Sequence, residues 1–171
     1  MFNVTADWEG LDEAFAELES ECADIVRGLT VEVFWNTLKM SPQYYGRYAS
    51  SWTYQVGSPD FHSNPTFNTE TREGFSVVKQ KGDTAAISAA LSYSSGRDKA
   101  FKLGDTVYIA NGADHGEGPY AADIEDGTIQ LRHVNRPGRP LGRAIDIAES
   151  WYGNDMKPTH VGPLTQIMRL Y

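Results

Sequence analysis

Residues 7–40 read DWEGLDEAFAELESECADIVRGLTVEVFWNTLKM. Within them Leu11, Phe15, Leu18, Cys22, Ile25 and Leu29 step by four and three, which draws one apolar stripe along a helix. Val33 and Phe34 carry the stripe on. Acids crowd the first turns, where they favour the positive end of the helix dipole, and Asp7 is placed to cap the start. Ser41-Pro42 stops the helix, because a residue before proline is pushed out of the α region. The reading predicts one long helix from about Asp7 to about Met40. Gly28 in its interior costs about 1 kcal/mol against alanine and marks a bend or a close helix contact. Cys22 is the only cysteine, so no intrachain disulfide is possible. With Leu18, Ile25 and Val26 as neighbours, it reads as a small buried hydrophobe.

After the helix the pattern changes. A short linker leads into Trp52-Thr53-Tyr54-Gln55-Val56, an alternating run of strand formers closed by Gly57. Ser58 to Gly74 is polar and turn-like, a long loop or arm of a kind that is often functional or disordered. The alanine-rich segment from Thr84 to about Ser94 favours helix, with a strand as the alternative, and Gly96 closes it. Thr106 to Ala110 is a strand by composition, and Asn111-Gly112 is a turn signal. Pro119 to Ile124 is apolar on alternate positions, and Asp126-Gly127 is a further turn. Pro140 to Tyr152 is a helix with Pro140 in its first turn and Gly153-Asn154 beyond its end. Residues 1–154 thus form one α+β domain: a small antiparallel sheet packed against the long N-terminal helix, with further short helices. Residues 155–171 read as an extended C-terminal arm.

The 171-residue chain is 40% apolar, with four Trp, nine Tyr and seven Phe, so a packed core is available. No apolar run approaches the roughly 20 residues a bilayer crossing needs. The first ten residues lack the pattern of a signal peptide, so the expected setting is a cytoplasm or a particle built there. A net charge of −8 argues against wrapping nucleic acid, which takes cations to neutralise phosphates. The charge is uneven. Residues 7–24 hold Asp7, Glu9, Asp12, Glu13, Glu17, Glu19, Glu21 and Asp24 with no Lys or Arg. Arg132, Arg136, Arg139 and Arg143 stand in a stretch without acids. Such a subunit suits head-to-tail docking, or docking on differently charged partners, unless both ends are simply solvated faces.

Catalytic patterns are sparse. His62, His115, His133 and His160 have no helical metal-ligand spacing, and a single cysteine builds no thiolate site. Asp114, His115 and Glu117 could hold a metal but read first as a solvated loop. The glycines at 112, 116 and 118 lack the Gly-Lys-Ser/Thr of a phosphate loop. Glu125 and Asp126 on a strand would point to opposite faces and make a poor acid/base pair. No cofactor is expected.

Three blocks, in order, resemble a family of tailed-phage neck and minor tail proteins, the tail-completion proteins. The first is Pro42, Gly46, Arg47 and Ser51-Trp52, with Tyr45 and Tyr48 where the family carries a small Thr and an aliphatic residue. The second is Leu103-Gly104-Asp105-Thr106-Val107-Tyr108-Ile109-Ala110-Asn111, and the third is Pro119-Tyr120-Ala121, Ile124-Glu125 and Gly127. The insert from Gly112 to Gly118 and the C-terminal tail depart from the pattern. Read physically, Gly46, Gly104 and Gly127 punctuate strand ends, Trp52, Tyr108 and Tyr120 supply core area, Asn111 shapes a turn, and Glu125 could pair with Arg47. These residues report a fold.

The resemblance implies function. It implies a virion structural protein, not an enzyme, forming a ring of about six or twelve copies at the head–tail junction or the top of the tail. The ring would join connector to tail around the channel that DNA traverses, with other connector, neck and tail proteins as partners and no membrane. Arg132, Arg136, Arg139, Arg143, Leu164, Ile167, Met168 and Tyr171 are then candidate subunit contacts, and loss of the tail is expected to leave folding intact. Glu13, Glu17 and Glu21 are candidate channel acids, since a cationic wall would hold passing DNA. The alternative is a small phage-encoded enzyme or accessory factor with a metal-dependent site near His115.

Overall fold

The computed structural model describes residues 8–41, 46–64, 84–98, 101–113, 121, 124–125, 139–152 and 164. Helix α1 runs unbroken from Glu9 to Met40. Its predicted cap, Asp7, lies outside the described residues, and Trp8 stands at the N-cap without a side-chain cap bond. Ser41 leaves the helix with extended backbone, as a residue before proline must. Its hydroxyl donates to the Thr37 carbonyl, closing the last turn.

The apolar stripe is not the face that enters the core. Leu11, Phe15, Leu18 and Ile25 are between 40% and 60% exposed, and Cys22 is half-exposed rather than buried. The core takes a different face from the second half of α1, through Val31, Phe34 and Leu38, all fully buried. At 100° per residue that face lies roughly half a turn from the stripe, on nearly the opposite side of the helix. Thr30 extends it by sharing a 2.8 Å hydrogen bond with the Tyr54 hydroxyl. Burial pushes the Tyr54 phenol up to about 12, with the Thr30 bond working the other way.

The predicted linker holds a short helix, α2 (Arg47–Ser50), entered through Gly46 at φ 72°. Only glycine takes that backbone at little cost, which explains the residue. Strand β1 (Trp52–Val56) follows at its predicted bounds and pairs antiparallel with β2 (Val107–Asn111), Trp52 opposite Asn111 and Val56 opposite Val107. A two-stranded sheet is marginal alone. Here it leans on α1 and on α3 (Thr84–Ser94), which packs against β1 and α2.

Alternation along β1 is only half kept. Trp52 and Tyr54 face the core, yet Thr53 is also buried. The start of the expected 58–74 arm folds back over that second face, where the Asp60 carbonyl accepts the Thr53 hydroxyl and Ser51 accepts the Asn64 amide. Gly112 makes this possible: a Cβ there would stand 2.5 Å from the Phe61 carbonyl carbon. The glycine read as a turn signal serves a close backbone approach.

Helix α4 (Pro140–Tyr152) begins and ends as predicted and packs along α1. Two further expectations are corrected. Ala121, Ile124 and Glu125 are helical, not part of an alternating strand. Leu164, expected on an extended arm, is fully buried in the same core as Phe34, Trp52, Tyr54, Ile87, Leu91 and Ile124. Its amide donates to Asp98, 2.9 Å away. The other tail residues, including Ile167, Met168 and Tyr171, lie outside the described residues, as do Pro42, Tyr120, Gly127, Arg132 and Arg136.

Candidate interaction surfaces

Three residues of the sequence blocks, Trp52, Asn111 and Glu125, converge on Tyr48. Its ring meets Trp52 edge to face at 5.6 Å, and the Trp52 indole N–H donates to Ser41 at 2.8 Å. Asn111 donates its amide to the Tyr48 carbonyl and accepts the Ala113 N–H, the local turn expected of it. The Tyr48 hydroxyl donates to Glu125 at 2.9 Å. Arg47 reaches Ser63. Gly104 sits at φ 95° in the turn before β2, while Tyr108 is half-buried outside the central cluster. The gathering is a buried structural joint between the end of α1, the sheet and α4.

Glu125, expected to pair with Arg47, takes its hydrogen bonds from Tyr48 and from the start of α4. Its two carboxylate oxygens accept the amides of Leu141 and Gly142, at 3.1 and 3.4 Å. Those are orphan donors at the start of α4, where a negative charge also meets the helix dipole. Pro140, with no N–H to satisfy, stands just ahead of them. No local sequence pattern marks this cap, because Glu125 lies 16 and 17 residues from the amides it accepts. Glu125→Ala should therefore lower stability by about 1–2 kcal/mol in chemical denaturation, with Glu125→Gln losing less because it keeps an acceptor. Equal stability of Glu125→Ala and the parent would show that the joint does not hold α4.

This joint fixes the charge layout. Arg139 and Arg143, the basic residues of the Arg132–Arg143 stretch within the described residues, are both exposed at the start of α4. Arg139 is anchored by its amide to Ile124, beside Glu125. They therefore sit near the C-terminal end of α1. Asp12, Glu13, Glu17, Glu19 and Glu21 are all exposed on its N-terminal half. Asp24, partly buried, is already paired with Arg27 at 2.9 Å. From Glu13 to Ser41 the helix rises about 40 Å. Among the described residues, the N-terminal half of α1 is acidic and apolar, and Arg139 and Arg143 lie toward its other end.

A further cluster ties the segment after β1 to α3. Arg97 binds Asp60 and Gln55 and lies 4.1 Å over the Tyr93 ring, Tyr93 donates to Asp60, and His62 stacks on Tyr93 at 3.7 Å. Gln55, Val56, Pro59, Asp60 and Arg97 line a shallow open depression. The Arg97 hydrogen bond holds the Asp60 carboxyl below its ordinary value, against the opposing effect of burial, with Tyr93 assisting. A carboxylate whose folded pKa is depressed contributes stability above its unfolded pKa, near 4, and loses it as pH falls through the folded value. The stability gap between the parent and Asp60→Asn should be full at neutral pH and close in acid. A gap independent of pH would remove the ion pair as its cause.

Among the described residues, no group of three or more His, Cys, Asp or Glu is placed to hold a metal, and no helix is long and apolar enough to cross a membrane. His115 and its acidic neighbours lie outside those residues. Comparison with protein-family models, with curated proteins and with solved structures finds no match.

Proposed function

We propose that this chain is a structural subunit of a tailed-phage particle, working by assembly and not by catalysis. It would form a ring of about six or twelve copies at the head–tail junction or the top of the tail, joining connector to tail around the DNA channel. The resemblance of the three sequence blocks supplies the particle. The observation that carries the assembly role is the two-ended surface: an exposed apolar stripe among acids at one end of α1, with Arg139 and Arg143 exposed near the other. Apolar side chains aligned on a projecting helix are a contact awaiting a neighbour.

The same helix accommodates the channel acids. Counting 100° per residue, Glu13 and Glu17 point away from the stripe and Glu21 borders it. A helix that packs its stripe on neighbours can thus turn Glu13 and Glu17 toward the lumen and repel passing DNA within a Debye length of about 8 Å. Light scattering of the purified protein, alone and with particle partners, together with immunolabelling of virions, tests the reading. Ring-sized species and label at the junction are expected. A strict monomer absent from virions refutes it. Replacing Glu13, Glu17 and Glu21 with Lys should leave rings intact while impairing DNA passage or retention. Failure of ring formation would move these acids to a subunit interface, and normal infectivity with normal rings would remove them from the lumen.

A further inference from the structure

The exposed stripe has the spacing of a coiled-coil seam. Trp8, Phe15, Cys22 and Leu29 recur every seven residues, as do Leu11, Leu18 and Ile25, so the two series occupy the a and d positions of a heptad. The residues beside the seam, at e and g, are Asp12, Ala14, Glu19, Glu21, Val26 and Gly28. Every charged one is an acid. Trp8 is 65% exposed and Phe15 60%, and the seam stays open as far as Ile25 before half-buried Leu29 meets the domain. A helical stretch of this length is marginal in water unless an apolar face is covered.

Charge decides what can cover it. In a parallel pair of these helices, the g residues of one would face the e residues of the other; in an antiparallel pair e meets e and g meets g. An antiparallel pair brings Asp12 against Glu19, and a parallel pair leaves Glu19 facing Ala14 and Glu21 facing Val26, so neither arrangement gives these acids a cation and charge gives self-pairing no support. Nor does another described helix of a second copy fit: α3 carries no Lys or Arg, and on α4 Arg143 is followed by Asp146 and Glu149.

We propose that residues 8–25 of α1 dock a helix of a different protein, apolar along its own seam and flanked by Lys or Arg. The proposal rests on the assembly role argued above and names the chemistry of the partner. Apolar packing supplies the contact, and the e/g ion pairs choose the partner.

The test needs no particles. The probe is a three-heptad synthetic helix, apolar at a and d with Lys at e and g, and its counterpart with Glu at those positions. Both are titrated into the full-length protein by fluorescence anisotropy. The Lys peptide should bind roughly tenfold or more tighter than the Glu peptide and weaken as salt rises. Leu11→Asp with Leu18→Asp, both at exposed positions, should abolish binding while leaving the circular dichroism melt unchanged. Asp12→Lys, Glu19→Lys and Glu21→Lys together should reverse the preference toward the Glu peptide. Equal binding of both peptides, or none, overturns the proposal. So does self-association through α1 that excludes the peptide, which would make a second copy the occupant and leave the ring standing. Conversely, selective binding by a protein that forms no ring would support the docking surface and refute the ring.

Discussion

Trp52→Ala should destabilise the protein by about 3–5 kcal/mol, the usual cost of emptying a large aromatic site in a core. Trp52 is 1% exposed, and three elements meet on it: its indole N–H donates to Ser41 at the end of α1, its ring takes the edge of Tyr48 from α2, and its backbone opens β1. The loss is therefore cooperative, and a fall in Tm on the order of 10 °C should accompany it. If the alanine variant fails to fold, Trp52→Phe keeps most of the ring while deleting the donor. It should fall between parent and alanine. A Trp52→Ala melt matching the parent would show that this joint does not carry the fold.

The second large effect is expected at the other end of the chain. Leu164→Ala should cost about 2–5 kcal/mol, because the side chain is fully buried and packs into the central core. Removing residues 159–171 should cost at least as much. It takes away Leu164 and also strips Asp98, itself 1% exposed, of the amide it accepts. A buried carboxylate left without that bond is destabilising in its own right. This reverses the expectation that the tail can be lost without harm to folding. A truncated protein with the parent's denaturation midpoint would restore the tail as a dispensable arm.

Leu164 shows where a sequence reading stops. Its neighbours include Pro158, Gly162 and Pro163, which break regular structure and suggest a segment outside the core. Extended backbone buries a side chain as well as a helix does when a pocket is present, and a pocket has no local signature. Glu125 makes the same point for polar residues. Its partners, Tyr48, Leu141 and Gly142, lie 77, 16 and 17 residues away, so no short-range pattern marks it as a helix cap.

What residues 8–152 determined by themselves was element type and extent: the 32-residue helix, β1, α3 and α4 all follow from local periodicity, glycine and proline. These are short-range energies, and they are written within a few residues of where they act. The short helix α2 escaped because four residues are too few to show a period. The sequence also determined that α1 carries an apolar stripe and an acidic first half. Only the tertiary structure decided which face of α1 the domain uses. Leu11, Phe15, Leu18 and Ile25 look in sequence like any core stripe, and the reading carried that stripe on through Val33 and Phe34, whereas Val31, Phe34 and Leu38 form a second apolar face on nearly the opposite side. Hydrophobicity is non-directional: it states that a face gains by burial, not whether the covering surface belongs to the same molecule. With the sheet and α3 gathered against the second half of α1, this chain's described residues leave the first half of the stripe open.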